Sequence, residues 1–148
     1  MSGNLKLFID YDFQDWNNYI RAERANKYKA NHIKQDEKAF IVFSVKEKYT
    51  GRYPVTLTIR PHFKNKRKDL DNFRMKGLID GLVSAGVIKN DNLSNINKII
   101  LEPIIDGGMG VEVEINESGF EVYTIHDFVQ GLTVEEREKL NKFLRENF

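Results

Sequence analysis

The sequence predicts an α+β fold, a mixed β-sheet packed with helices in one layered domain over residues 1–148, and three observations lead there. Leu5, Leu7 and Ile9, then Val55, Leu57 and Ile59, then residues 111–115 alternate apolar with polar residues, the period of a half-buried strand. Met75, Leu78, Ile79, Leu82 and Val83 repeat instead at the spacing of one helix face. At 148 residues the chain is long enough to bury a core without staples.

The elements follow in order. Residues 5–9 form a first strand. Asp12 is placed to cap a helix running to about Lys29, with Trp16, Tyr19 and Ile20 on one face. Residues 33–48 admit two readings. Ile33, Glu37, Phe40, Ile41, Ser44 and Val45 fit helical spacing, whereas residues 40–45 alone also suit a strand; the Lys-, Gln-, Glu- and Ala-rich lead-in favours helix. A second strand over Val55, Leu57 and Ile59 reaches Pro61, and residues 60–68 read as a loop with five permanent positive charges and no carboxylate. A helix follows from near Asp71 or Asn72, ended by Gly86. Gly77 and Gly81 inside it each cost about 1 kcal/mol relative to Ala, which points to close packing against a strand or a second subunit. Residues 96–105 and 111–115 are strand-like, and residues 120–125 are expected to pair with the latter as a hairpin. Thr133 and Glu136 form a capping box, and Leu140, Phe143, Leu144 and Phe148 form the stripe of a last helix.

Composition narrows the function. With no cysteine, the chain has no thiolate nucleophile, disulfide or cysteine-based zinc site, which fits a cytoplasmic protein. No apolar run approaches the roughly 18 residues of a membrane span, and the first residues lack a signal-peptide layout. The net charge of +1 hides an asymmetry: residues 1–68 hold 15 Lys and Arg against 7 acids, residues 69–148 hold 8 against 15. Such separation suits a basic face for a polyanion, or simply two solvated surfaces.

The chemistry concentrates in Lys68-Asp69-Leu70-Asp71-Asn72, Lys76, Asp80 and Asn90-Asp91-Asn92. Carboxylates at i and i+2 on an extended segment point the same way and can grip a hard cation such as Mg²⁺, which relieves their mutual repulsion. A helix over residues 72–85 spans roughly 20 Å. An extended return over residues 87–91 covers roughly 17 Å, enough to bring Asp91 back to the helix start. There the helix dipole also favours an anion such as a phosphate. Each residue has a plainer reading too: Asp71 as a cap, Asp91 as turn chemistry, Lys76 with Asp80 as a surface i, i+4 pair. Their conjunction beside a basic loop is what points to a site.

These residues resemble a known signature. Asp69-Leu70-Asp71-Asn72, the following Lys76, Asp80-Gly81-Leu82, Ala85-Gly86-Val87-Ile88 and Asn90-Asp91 look like the RusA family of Holliday-junction resolvases. Residues 15–24 are similar to the N-terminal helix of the phage or prophage type. The likeness runs from about residue 5 to 116, which leaves residues 117–148 as a C-terminal hairpin-strand and helix extension. The resemblance implies a homodimer that binds four-way or otherwise branched DNA and makes paired symmetric nicks, with Mg²⁺ or Mn²⁺. It implies Asp69, Asp71 and Asp91 as metal ligands, Lys76 as the catalytic lysine and Lys68 as the basic residue ahead of the signature. This chain departs in having three residues between Asn72 and Lys76 where the best-known members have two, and Asn90-Asp91 where an acidic pair is frequent.

Lys64, Lys66, Arg67 and Lys68, with Arg21, Arg24 and Lys27, are the candidate grip on the DNA backbone. His32, His62 and His126 are scattered and read as surface or packing residues. The competing expectation is a non-catalytic junction- or single-strand-binding protein on the same fold, using the basic loop with Tyr28 and Phe63. A third is a dimerisation protein with no nucleic-acid partner.

Overall fold

The computed structural model describes residues 3–119 and 130–148. The first alternating segment is β1 (Leu5–Ile9). Phe13 must then reach the core, so the chain stays extended past Asp12 and the helix starts later than expected. Asp15, not Asp12, is its cap, accepting from the Asn18 N–H at 2.7 Å. The helix α1 (Trp16–Ala25) is also shorter than expected. Asn26 turns to extended backbone, and its side chain takes the Tyr28 N–H, so a second helix α2 (Lys27–Ser44) starts at once. The ambiguous stretch around Phe40 is therefore helix, beginning earlier and ending sooner than the spacing implied.

The strand β2 (Val55–Phe63) runs through Pro61. Past a basic loop, a 3-10 turn (Leu70–Asn72) precedes α3 (Met75–Ser84), so the helix starts three residues after Asn72. Gly86, at φ +72°, ends it as expected. The chain returns through β3 (Ile96–Leu101), β4 (Ile104–Ile105) and β5 (Val111–Glu117). The strand order is β1-β5-β2-β3, with β4 also on β2; β3 and β4 run parallel to β2 and the other pairs are antiparallel. The fold is thus α+β on a mixed sheet.

Register decides which face is buried. Leu7 opposes Val113, Ile59 opposes Val113 and Leu57 opposes Ile115, so one sheet face is apolar. That face packs with Ile41 of α2, Val45 just past its end, and Leu78, Ile79 and Leu82 of α3 in one core. The other face is polar: Arg60 lies between Glu102 at 3.1 Å and Glu114 at 2.9 Å. Gly77 and Gly81 pack against α2 rather than a strand: an added Cβ would run into the Glu37 carboxylate and the Ile41 side chain.

By contact the chain forms two units, Met1–Ser118 and Gly119–Phe148. In the second, α4 (Val134–Asn147) has the expected capping box: Thr133 accepts from the Glu136 N–H and Glu136 from the Thr133 N–H. Phe143, Leu144 and Phe148 of its stripe are exposed. The hairpin strand expected at residues 120–125 lies outside the described residues. No helix among the described residues is long and apolar enough to cross a membrane.

Candidate active site

The C-terminal end of β2 carries the chain into the basic loop, where Lys64, Lys66, Arg67 and Lys68 are all exposed. The loop closes a depression whose wall includes Asp12, Asp15, His62, Lys68, Asp69 and Asn72. Lys68 reaches the Asp15 carboxylate at 3.7 Å. Asp69 is extended, but Asp71 lies inside the 3-10 turn, so alternation does not aim the two carboxylates the same way. Asn72 faces back toward α1 and accepts from the Asn17 N–H at 3.1 Å, satisfying a donor that the helix start leaves open. That bond seats α1 beside the turn. Along it and the start of α2, Arg21, Arg24 and Lys27 are exposed.

Asp91 does return beside the first half of α3, as the chain-length argument expected. It lines a second depression with Met75, Lys76, Ile79 and Asp80, a different one from that of Asp69. Lys76 pairs with Asp80 at 3.6 Å across one turn. Leu93, Ile96 and Ile99 complete this wall, which is mostly apolar.

On the chain between Phe73 of the first depression and Met75 of the second comes Arg74, 2% exposed. Its guanidinium bonds the buried Glu37 carboxylate, donates to the Gln14 carbonyl at 3.3 Å and lies 4.4 Å from the centre of the Tyr19 ring. Burial pushes the Glu37 carboxyl up, and the Arg74 bond pulls it back. The pair pins residues 73–76 to α2, although neither member stood out in the sequence. A lone Arg within a helix-like stretch reads as a surface residue.

The histidine at the end of β2 is held on several sides. His62 Nδ1 lies 2.8 Å from Asp106 Oδ2, and the His62 ring meets Phe8 edge to face at 5.5 Å. The other Asp106 oxygen accepts from the Gly108 N–H at 2.9 Å, and that bond, then His62, lowers its carboxyl below the ordinary range.

The family profile described as Endodeoxyribonuclease RusA matches residues 2–116. The chain belongs to the RusA family. No curated protein matches it. The matched stretch includes both depressions, the basic loop and Arg74, and it ends before Gly119 and α4. Within this RusA-family chain, Asp69 and Asp91 line different depressions. Asp12 and Asp15, which no spacing marks as site residues, share the Asp69 depression, which Asp91 does not line. Carboxylate oxygens are the donors a hard divalent cation takes, so the donors fit in kind. Among the described residues, however, no three His, Cys, Asp or Glu side chains are grouped to hold an ion.

Proposed function

We infer that this RusA-family protein is a metal-dependent, structure-selective endonuclease that resolves four-way DNA junctions by paired symmetric nicks. The observation that carries the reading is the family match over residues 2–116, with the Asp69–Asn72 signature at the mouth of a depression bordered by the basic loop. Lys64, Lys66, Arg67 and Lys68 hold backbone phosphates as exposed cations, and Arg21, Arg24 and Lys27 extend that grip. Asp69, Asp71 and Asp91 would hold Mg²⁺, or Mn²⁺ in its place. The ion's charge would draw together carboxylates that otherwise repel. When bound it supplies Lewis acidity at the scissile phosphate. Lys76 is the cation that offsets charge developing on that phosphate, for which it must leave Asp80. Two nicks related by symmetry call for a homodimer with one site per protomer. The substrate is then cytoplasmic branched DNA.

The test is a labelled synthetic four-way junction with Mg²⁺ or Mn²⁺ against linear duplex of the same sequence. Symmetric paired nicks that vanish with chelator are expected; duplex cut as readily as junction would remove the structure selectivity. The separation of Asp69 from Asp91 favours one second reading, a junction-binding protein without nuclease activity. Tight, salt-sensitive junction binding with no nicks in either metal is its signature.

A further inference from the structure

We propose that His62 is a further catalytic residue of this nuclease, the base that takes a proton from the attacking water, with Asp106 as its positioning residue. The proposal rests on the endonuclease reading above and adds a residue that the family signature does not include.

The geometry is built by the parallel pairing of β2 with β4. His62 stands opposite Ile104 and Phe63 opposite Ile105, which puts Asp106, the next residue, beside the His62 ring. The loop after Asp106 turns through Gly107 and Gly110, at φ +76° and +105°, conformations that L side chains rarely adopt. This turn lets the Gly110 carbonyl accept from the His62 N–H at 2.9 Å while the Gly108 N–H holds the Asp106 carboxylate. At Gly110 a Cβ would stand 2.9 Å from the Ile9 carbonyl, so the loop must pass that close to β1 for the clamp to form. His62 is therefore fixed by its backbone, by a carboxylate on Nδ1 and by the Phe8 ring.

That clamp decides the tautomer. An ionised carboxylate has only acceptors, so the 2.8 Å bond requires the proton on Nδ1, and the neutral ring then carries its lone pair on Nε2. The side chain is 17% exposed, and His62 lines both the Asp69 depression and the adjoining one bordered by Lys64 and Lys68. A phosphate drawn to those lysines lies within the same pair of depressions as the imidazole. Charged groups around the ring are Asp106 on the glycine loop and, along the shared walls, Asp12, Asp15, Lys64, Lys68 and Asp69.

The step balances without an added reagent. The water oxygen forms a bond to phosphorus as its proton passes to Nε2, and Asp106 stabilises the resulting imidazolium. The phosphorus–O3′ bond breaks, the departing oxygen takes a proton from solvent, and the imidazolium returns its proton to solvent.

The experiment uses the full chain, Mg²⁺ and the labelled junction at saturating protein. His62→Ala is expected to slow cleavage on the order of 10²- to 10⁴-fold with junction affinity unchanged, and added free imidazole should restore part of the rate. Asp106→Asn should slow cleavage less, and in ¹⁵N spectra of the labelled imidazole the preference for Nδ1–H should weaken. His62→Gln keeps the side chain's bulk and decides the matter if the alanine variant does not fold. A His62→Ala enzyme that nicks within two-fold of wild type overturns the proposal, as does a loss traced wholly to weaker junction binding or a slow variant that imidazole leaves unchanged. In each of those cases wild type still cleaves and the endonuclease reading stands. Wild type that cleaves no DNA at all removes that reading, and this one with it.

Discussion

The Asp69 and Asp91 depressions come from one short run of sequence and are differently made. Around Asp69 the wall is mixed: Asp12, Asp15 and His62 share it with Phe13, Phe63 and Phe73, Lys68 bridges to Asp15, and a loop of exposed cations forms its rim. Around Asp91 the wall is Met75, Ile79, Leu93, Ile96 and Ile99, relieved by the Lys76–Asp80 pair. The chain passes from one to the other between Asp69 and Met75, pinned midway by buried Arg74 on Glu37. Residues that sit side by side in a signature can thus face separate surfaces when a buried ion pair lies between them. The Asp69 depression gathers carboxylates beside a rim of cations, whereas the more apolar one around Asp91 offers two acids and a lysine.

That contrast can be broken most directly by comparing Asp69→Asn with Asp91→Asn. If both depressions serve one metal, each variant loses cleavage by on the order of 10³-fold or more while junction binding persists, as gel-shift and nicking assays run together will show. Full cleavage by Asp91→Asn would confine the chemistry to the Asp69 side. Next in size, Arg74→Ala leaves Glu37 buried and unpaired, and such a loss costs about 3–5 kcal/mol in urea unfolding. Because Arg74 lies on the chain between residues of the two depressions, both should fail together; an unchanged unfolding midpoint would show that it pins neither. Gly81→Ala forces a methyl onto Ile41 and should cost about 1–3 kcal/mol, with no effect on nicking by the enzyme that remains folded.

Smaller effects sharpen the comparison. Replacing both Lys66 and Arg67 by Ala should flatten the salt dependence of junction affinity by about two phosphate contacts and spare cleavage of bound DNA. An unaltered slope would place the DNA elsewhere. Outside both depressions, the Glu114 carboxyl is held low chiefly by its Arg60 bond. Its folded value lies below the unfolded one, so its stabilising contribution is complete above the ordinary carboxylate range and fades as pH falls through the lowered value. Arg60→Ala should therefore reduce stability at neutral pH more than in strong acid, read from unfolding curves at both; equal losses would remove the electrostatic account.

Much of this was legible in local pattern. The apolar alternation of β1, β2 and β5 and the stripe of α3 are properties of neighbouring side chains, as is the stop at Gly86. Where local reading went astray, the cause was either a distant partner or a local bond that spacing does not show. Phe13 belongs to the core, which moved the first helix cap from Asp12 to Asp15. Asn26 satisfies the Tyr28 N–H and so divides what reads as one helix. His62 reads as an unremarkable histidine because Asp106 is 44 positions away, and only the β2–β4 register joins them.

The sequence by itself determined the α+β class, the carboxylates and lysine of the signature and the basic loop, because periodicity and residue type are written locally. Tertiary structure alone decided that Asp69 and Asp91 open on different depressions, that Gly77 and Gly81 make room for α2, and that His62 meets Asp106. Those outcomes depend on strand register and helix packing, which bring together groups that no local spacing relates.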